Sequence, residues 1–558
     1  MAEPTRPLPS LIPLPDGVWR CTSTMTPSEF TIRGLALKPA GSIIPVIVVP
    51  GIMGTNLRAK NSPRSEQERN KDVGAGEPVW RPPNTDPGGL WDSIIWDRFT
   101  PKRRQLRFDP DTVEVDDSGP VHIPHGNGRF HVNRAETRER WWGELHAGSY
   151  GALLCALRTR LNQTFWREGP DDERRILEHW QEVMACDPKK WGVREMKPLT
   201  EAELEKHARY HYPVYGAGYN WLESCETSSQ RLEKRIIEII ESWKKLGRQC
   251  DQVILVTHSM GGLVARACAK RIPDKIAGVI HGVMPALGAP VAYRRMACGT
   301  EAPSIIKSRV AKILGETTYH TTPVLATSPG ALELLPNHLY PGPWLHVRVM
   351  HPEGPTGKRD TAFDYLHLPG GRVSNPYDIY RDFSPWYRLV DPALADPAGK
   401  FKGEPGGVVE AVTKAIDTAE RFHRTVLGDY YHPKTYVFYG GDPRERSYGQ
   451  VRWVGQIESG RTPLTVANVT NAKLTLTHVE GARLVTVEND SRVLFRPEPG
   501  DTRGDGTVPH QSGAGPVGKV KRLFETHGYD HQGSFNHDDM LMLTLRLIVK
   551  IVQGVRTP

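Results

Sequence analysis

The segment VILVTHSMGGLVARACAK, residues 253–270, limits the possible folds more than any other part of the chain. Its first residues are apolar and β-branched with no polar alternation. That is the pattern of a strand buried on both faces, which belongs in the middle of a parallel sheet. The paired glycines of THSMGG then allow a sharp turn, and LVARACAK continues as a helix. A buried strand that turns straight into a helix is the repeating unit of an α/β protein. Further units are read along the chain. Pro45 to Val49 is a second buried strand, running into the glycine turn PGIMGTN at 50–56. YPVYGAGYNW (212–221) reads as a strand end and loop. QRLEKRIIEIIESWKKLG (230–247) is an amphipathic helix with Leu232, Ile236, Ile240, Trp243 and Leu246 at helical spacing, stopped by Gly247. IAGVIHGVMPALGAP (276–290) and TYVFYGG (435–441) are strands with their loops, and DDMLMLTLRLIVKIVQG (538–554) is the last helix.

These elements predict a mostly parallel central sheet with helices on both faces, interrupted by large insertions. The core falls at 41–59 and 211–290, completed by 431–558, which carries a hairpin insertion near 450–500 where β-branched and polar residues alternate. Residues 1–40 are Pro-rich and irregular. Residues 60–210 lack strand–helix rhythm and hold eight of the fourteen tryptophans, so they read as a cap inserted over the core. Residues 291–430, again long and irregular, read as a second cap or lid. The tryptophans of the first insertion fit either a lipid-facing lid, because Trp suits a membrane–water interface, or an ordinary packed core.

Composition excludes several classes. Of the 558 residues, 38% are hydrophobic and 24% charged, a globular balance. The longest apolar run, 43–54, is too short to span a bilayer and is broken by prolines and glycines. The first residues lack the cationic start and apolar core of a conventional signal peptide. The net charge of +8 is dispersed, unlike the clustered Lys and Arg of a nucleic-acid binder, and favours anionic surfaces only weakly. The seven cysteines are an odd number without a CxxC pair, which argues against a zinc site and a disulfide framework and for a reducing compartment of synthesis.

Ser259 stands at the apex of the strand–turn–helix, where a nucleophile needs its oxygen presented above the carboxyl edge of the sheet. The backbone there is tight and calls for small neighbours, supplied by Gly261 and Gly262. Where a G-x-S-x-G elbow has its first glycine, this chain has Thr257. The alternative reading is a serine capping a helix. An attacking serine needs an oxyanion hole. The N–H of the next residue, Met260, is one donor, and the turn PGIMG offers Met53 as the second. It also needs a base and a carboxylate, in the chain order Ser, acid, His. Asp442, just after TYVFYGG, and Asp505, in the turn RGDGTVP, both qualify by position. Asp442 before Pro443 also reads as a turn aspartate, and the loop of Asp505 as a calcium loop that lacks the evenly spaced acids. Of His527, His531 and His537, His531 lies mid-loop before the final helix and is the expected base. His527 falls near a strand end and His537 at the helix start. His258 is expected to point away from Ser259 by strand alternation, and most other histidines to lie on the surface.

The pieces VIVVPGIMGTNLRAK (46–60), GYNW (218–221), VTHSMGGLVAR (256–266), MPALGAP (284–290), VFYGGDPRERSY (437–448), GDGTVP (504–509) and GYDHQGSF (528–535) together resemble a lipase family. That family includes lecithin:cholesterol acyltransferase, lysosomal phospholipase A2 and the GPI inositol-deacylase-like hydrolases. The pieces occur in the family's order; residues 60–210 and 291–430 have no counterpart. The resemblance implies an α/β-hydrolase fold and a serine lipase or phospholipase acting on acyl esters, without metal or cofactor. It selects Asp505 over Asp442 as the acid, because the family's acid lies in a D-G-T-V-like turn. It assigns the oxyanion donors to Met53 and Met260. Within the family the chain looks most like large bacterial hydrolases, among them antibacterial lipase effectors exported by type VI secretion. Such a protein would meet a lipid surface, a secretion apparatus and a cognate immunity protein. It would pass from the producer's cytoplasm into the envelope of a target cell. The rival expectations are a soluble cytoplasmic esterase or amidase on a small substrate and a non-enzymatic binding protein on a hydrolase scaffold. The last predicts a missing triad member, and none is missing.

Overall fold

The strand Val253–His258 is buried at every residue, as is its neighbour Val46–Val49. In the computed structural model both lie inside a six-stranded sheet ordered 214–216, 46–49, 253–258, 276–282, 435–440 and 522–526. All adjacent pairs run parallel. The structure describes residues 41–60, 74–81, 99–121, 134–168, 173–301, 315–351, 361–371, 373–459, 464–478, 481–487 and 491–556, with short strand pieces between 5 and 35.

Strand alternation sends the sheet's side chains into two cores. Ile47, Val49, Val253, Leu255 and Val279 pack with the helices Cys225–Lys245 and Gly261–Arg271. Val46, Val48, Ile254, Val256 and Ile280 pack with the helices Ala147–Arg160 and Asp538–Val552. Burying both faces removes the solvated alternation from the strands, which is why they read as continuous apolar runs. This is the α/β-hydrolase fold, as expected. The 225–245 helix begins five residues before the expected start, because the Ser224 side chain caps it by accepting from the Glu226 N–H at 3.2 Å.

Two expectations about the insertions are corrected. Residues 60–210 do more than cap the core. The 147–160 helix forms part of the layer under the sheet, and Trp142, Trp180 and Trp191 are 0–2% exposed within that core. Trp80 is buried in the opposite core. These four tryptophans are therefore packing residues; Trp91 and Trp96 lie outside the described residues. Residues 291–430, read as irregular, contain helices and two strands. The strands Leu345–His351 and Thr361–Leu368 join four strands from 451–497 in a second six-stranded sheet. Leu345–His351 runs parallel to Val451–Ser459, and the other pairs are antiparallel. The two segments thus share one layer, with Trp344, Trp386, Trp453 and Phe495 in its own core.

Candidate active site

Ser259 follows the last residue of its strand with φ of 52°, a left-handed conformation that costs a non-glycine residue roughly 1–3 kcal/mol. The surrounding packing holds it there. A Cβ at Gly261 would lie 2.3 Å from the carbonyl oxygen of Pro50, so only glycine lets the elbow press against the 50–54 turn. Thr257, in place of the elbow's first glycine, is accommodated because its side chain is fully buried and its Oγ1 lies 2.7 Å from His281 Nδ1.

The structure brings three of the expected residues together. His531 Nε2 is 2.8 Å from Ser259 Oγ, and His531 Nδ1 is 2.8 Å from Asp505 Oδ2. A carboxylate only accepts, so Nδ1 carries the hydrogen and Nε2 is left to accept from the serine hydroxyl. Asp505 is 1% exposed. Its Oδ1 accepts from the N–H groups of Thr507 and Val508 at 2.9 and 2.7 Å, and its carbonyl accepts from the His531 N–H at 2.7 Å. Asp505 therefore fixes both the ring and the backbone of His531.

Asp442 has other work. It accepts from Arg444 and from the Gly528 N–H, and those bonds, the Arg444 guanidinium first, hold its carboxyl far below the usual range. It ties down the start of the loop that carries His531. His527 is half-exposed beyond the strand Arg522–Thr526, and His537 caps the last helix by accepting from Asp539 N–H at 3.3 Å.

Met53 also has a left-handed backbone, φ 61°. Its carbonyl accepts from Trp80 Nε1 at 2.7 Å, which fixes the orientation of this peptide turn. Among the described residues no hydrogen bond is formed by the backbone N–H of Met53 or of Met260. Both remain available to an acceptor beside Ser259.

His258, expected to point away from Ser259, forms hydrogen bonds that its place in the sequence does not announce. It is 3% exposed and its ring centroid is 5.1 Å from that of His531. Its Nε2 lies 2.9 Å from the His531 carbonyl oxygen, and its Nδ1 3.0 Å from Tyr150 Oη, which accepts from the Gly51 N–H at 2.9 Å. The carbonyl can only accept, so His258 Nε2 carries its hydrogen, Nδ1 accepts from the Tyr150 hydroxyl, and the chain of donors runs one way. Burial keeps the ring neutral, with its pKa lowered to about 3. This relay joins the turn that carries Met53 to the loop that carries His531. His207, His211, His281, His423 and His432 are also buried, exceptions to the expectation that most of the other histidines lie on the surface. Among the described residues no group of three or more His, Cys, Asp or Glu is placed to hold a metal ion, and six cysteines are free.

Residues 223–328, which include Ser259, match a family described as a PGAP1-like alpha/beta domain. Methylesterase 7 of Arabidopsis thaliana is 31% identical over 99 residues, 17% of this chain. The match spans 37% of that protein's length. Among solved structures, a chain of the crystal structure of the Tle4-Tli4 complex superposes with a TM-score of 0.71 at 28% identity. It covers 92% of this chain and 99% of its own. Phospholipase PlaB from Legionella pneumophila aligns over 56% of this chain and 85% of its own at 9% identity, with a TM-score of 0.14, which is no likeness of fold. Among the described residues no helix is long and apolar enough to cross a membrane.

Proposed function

We propose that this chain is a carboxylic ester hydrolase that uses Ser259, His531 and Asp505 to cleave acyl esters of lipids. The observation that carries the reading is the continuous line from Asp505 Oδ2 through His531 to Ser259 Oγ, with both links at 2.8 Å. His531 Nε2 takes the proton as Ser259 Oγ bonds to the ester carbonyl carbon. The N–H groups of Met53 and Met260 stabilise the oxyanion, charge that exists only in the transition state and the tetrahedral intermediate. His531 returns the proton to the departing alcohol, leaving an acyl-serine. It then takes a proton from water, whose oxygen attacks the acyl carbon, and passes it back to Ser259 as the fatty acid leaves. Water is the only co-reactant.

Lipid as substrate is supported by the resemblance to lipases along the core. A small soluble ester is favoured by one observation, the burial of Trp80, Trp142, Trp180 and Trp191, which takes these four tryptophans out of any lipid platform. The resemblance to effectors, and the likeness to a chain solved in the Tle4-Tli4 complex, support export into a rival cell's envelope and a protein inhibitor in the producer. One experiment covers these parts. The chain and its Ser259→Ala variant are expressed in a naive bacterium, each with and without a periplasmic signal, and free fatty acids and growth are followed. Growth arrest with fatty-acid release only for the periplasmic wild type is expected. Folded protein that releases no fatty acid in either compartment, yet cleaves a short-chain ester, would replace the lipid by the small ester.

A further inference from the structure

Helix Asp538–Val552 begins beside the His531 loop and ends at the opposite edge of the sheet, where strands Thr435–Gly440 and Arg522–Thr526 start. A cleft of about 730 Å³ opens there, far from Ser259. Its walls carry Lys197, Lys521, Arg522, Arg546 and Lys550 against one acid, Glu195. Tyr436, Phe524 and Leu547 line it between them.

The positive charges are mostly uncompensated. Lys550 pairs with Glu203 at 2.5 Å. Among the described residues Lys197, Lys521, Arg522 and Arg546 form no ion pair, and Arg522 donates instead to the backbone carbonyl of Glu195 at 3.0 Å. Arg546 is the most telling. It is 2% exposed and forms no contact ion pair among the described residues, and Glu203 acts on it only through space. One of its amino groups donates to the Lys197 carbonyl, its guanidinium sits 5.5 Å from the Trp191 ring centroid, and its buried Nε has no partner. Burying a guanidinium without a contacting counter-charge is costly, and an unfilled donor beside it adds to the cost. Burial pulls the Arg546 pKa below its ordinary value against the opposing charge of Glu203, with Arg522 adding to the fall, and Lys434 is lowered by burial and then by Lys521 and Lys206. The field at this pole is positive and waiting for an anion.

We propose that this cleft binds a phosphate-bearing anion, at a site separate from Ser259. A planar guanidinium held by its neighbours, flanked by the exposed Lys197 and Lys521, suits a multiply charged oxyanion better than a lone carboxylate. The volume falls in the range of small-molecule sites, so the phosphate comes with an organic group that lies on Tyr436 and Phe524. Two sources share this chemistry: a soluble phosphate ester and the head group of an anionic phospholipid.

The test measures binding alone, on the full chain and on its Ser259→Ala form, so its result is independent of the role given to Ser259. Pyrophosphate is titrated by calorimetry, and sedimentation is measured with phosphatidylcholine vesicles with and without phosphatidylglycerol. The Lys197→Glu, Lys521→Glu double variant changes two exposed side chains, and Arg546→Lys removes the fork while keeping the charge. Saturable one-site binding of pyrophosphate to wild type, weakened roughly tenfold or more in both variants, is the expected result. Sedimentation with phosphatidylglycerol that pyrophosphate competes away identifies a lipid head group; pyrophosphate binding without sedimentation identifies a soluble ester. Short-chain esterase activity of the double variant serves as the folding control. Non-saturable binding, or equal affinity in the wild type and the folded double variant, overturns the site.

Discussion

Asp505 and Asp442 are both buried aspartates near the end of the strand Thr435–Gly440, and their partners separate them. Asp505 meets the imidazole, whereas Asp442 meets Arg444 and the Gly528 N–H. Asp505→Asn leaves the shape but lets the ring of His531 take the wrong tautomer, and kcat is expected to fall by roughly a thousandfold or more. Asp442→Asn removes a charge from a bracing contact, and a loss of stability of about 1–3 kcal/mol with kcat changed by less than about tenfold is expected. Steady-state kinetics beside urea unfolding checks both, and an inactive but stable Asp442 variant would reverse the assignment. From order along the chain these two acids are equivalent; only the turn RGDGTVP and its family resemblance tell them apart. Ser259 was legible for a local reason, since strand, glycines and helix are contiguous. His258 was not. Its partners are Tyr150 and the carbonyl of His531, 108 and 273 residues away, and strand alternation says nothing about a side chain at the very end of a strand.

At the scale of elements, the helix Ala147–Arg160 connects parts that are distant in sequence. Its residue Tyr150 holds the 50–54 turn through Gly51 and the His531 loop through His258, and Ser149 receives a bond from Gln532. Tyr150→Phe leaves a buried N–H and a buried ring nitrogen unpaired, at a cost of about 1–3 kcal/mol. It also loosens both loops at once, and a kcat reduced roughly tenfold to a hundredfold with little change in KM is expected from misplacement of this size. A purely structural role would lower the unfolding midpoint and leave the kcat of the folded protein unchanged. The sequence AGSYGALLCALRTR hides this helix, because its buried residues surround the axis instead of forming a stripe. The cap sheet was hidden for a related reason. Leu345–His351 and Val451–Ser459 pair in parallel across about a hundred residues, and no local pattern encodes a partner at that separation.

Across the whole molecule, the buried histidines set the response to acid. Burial lowers His207, His258 and His281 to about 3 and His423 to about 4, from an ordinary 6.5. The unfolded chain binds these protons first, so stability is full above about pH 6.5 and falls as pH drops towards 4. Glu333, raised to about 7 by burial, acts in the opposite sense, keeping its proton when folded and losing that contribution as pH rises from 4.5 through 7. Four groups outweigh one. At about pH 5 each histidine withdraws on the order of 2 kcal/mol, and the urea midpoint is expected to fall steeply below pH 6.5. A midpoint that stays flat between about pH 7 and 5 would refute this balance. The central claim also belongs to this scale, because the 50–54 turn, the 259 elbow, the 505 turn and the 531 loop act only once the fold assembles them. Its most direct test is reaction with a fluorophosphonate, which bonds to an activated serine, followed by intact-mass and peptide mass spectrometry. One adduct per chain, on Ser259 and absent from Ser259→Ala, is the predicted result. An adduct elsewhere, or a folded wild type that resists the reagent while Ser259→Ala still cleaves esters, would contradict it.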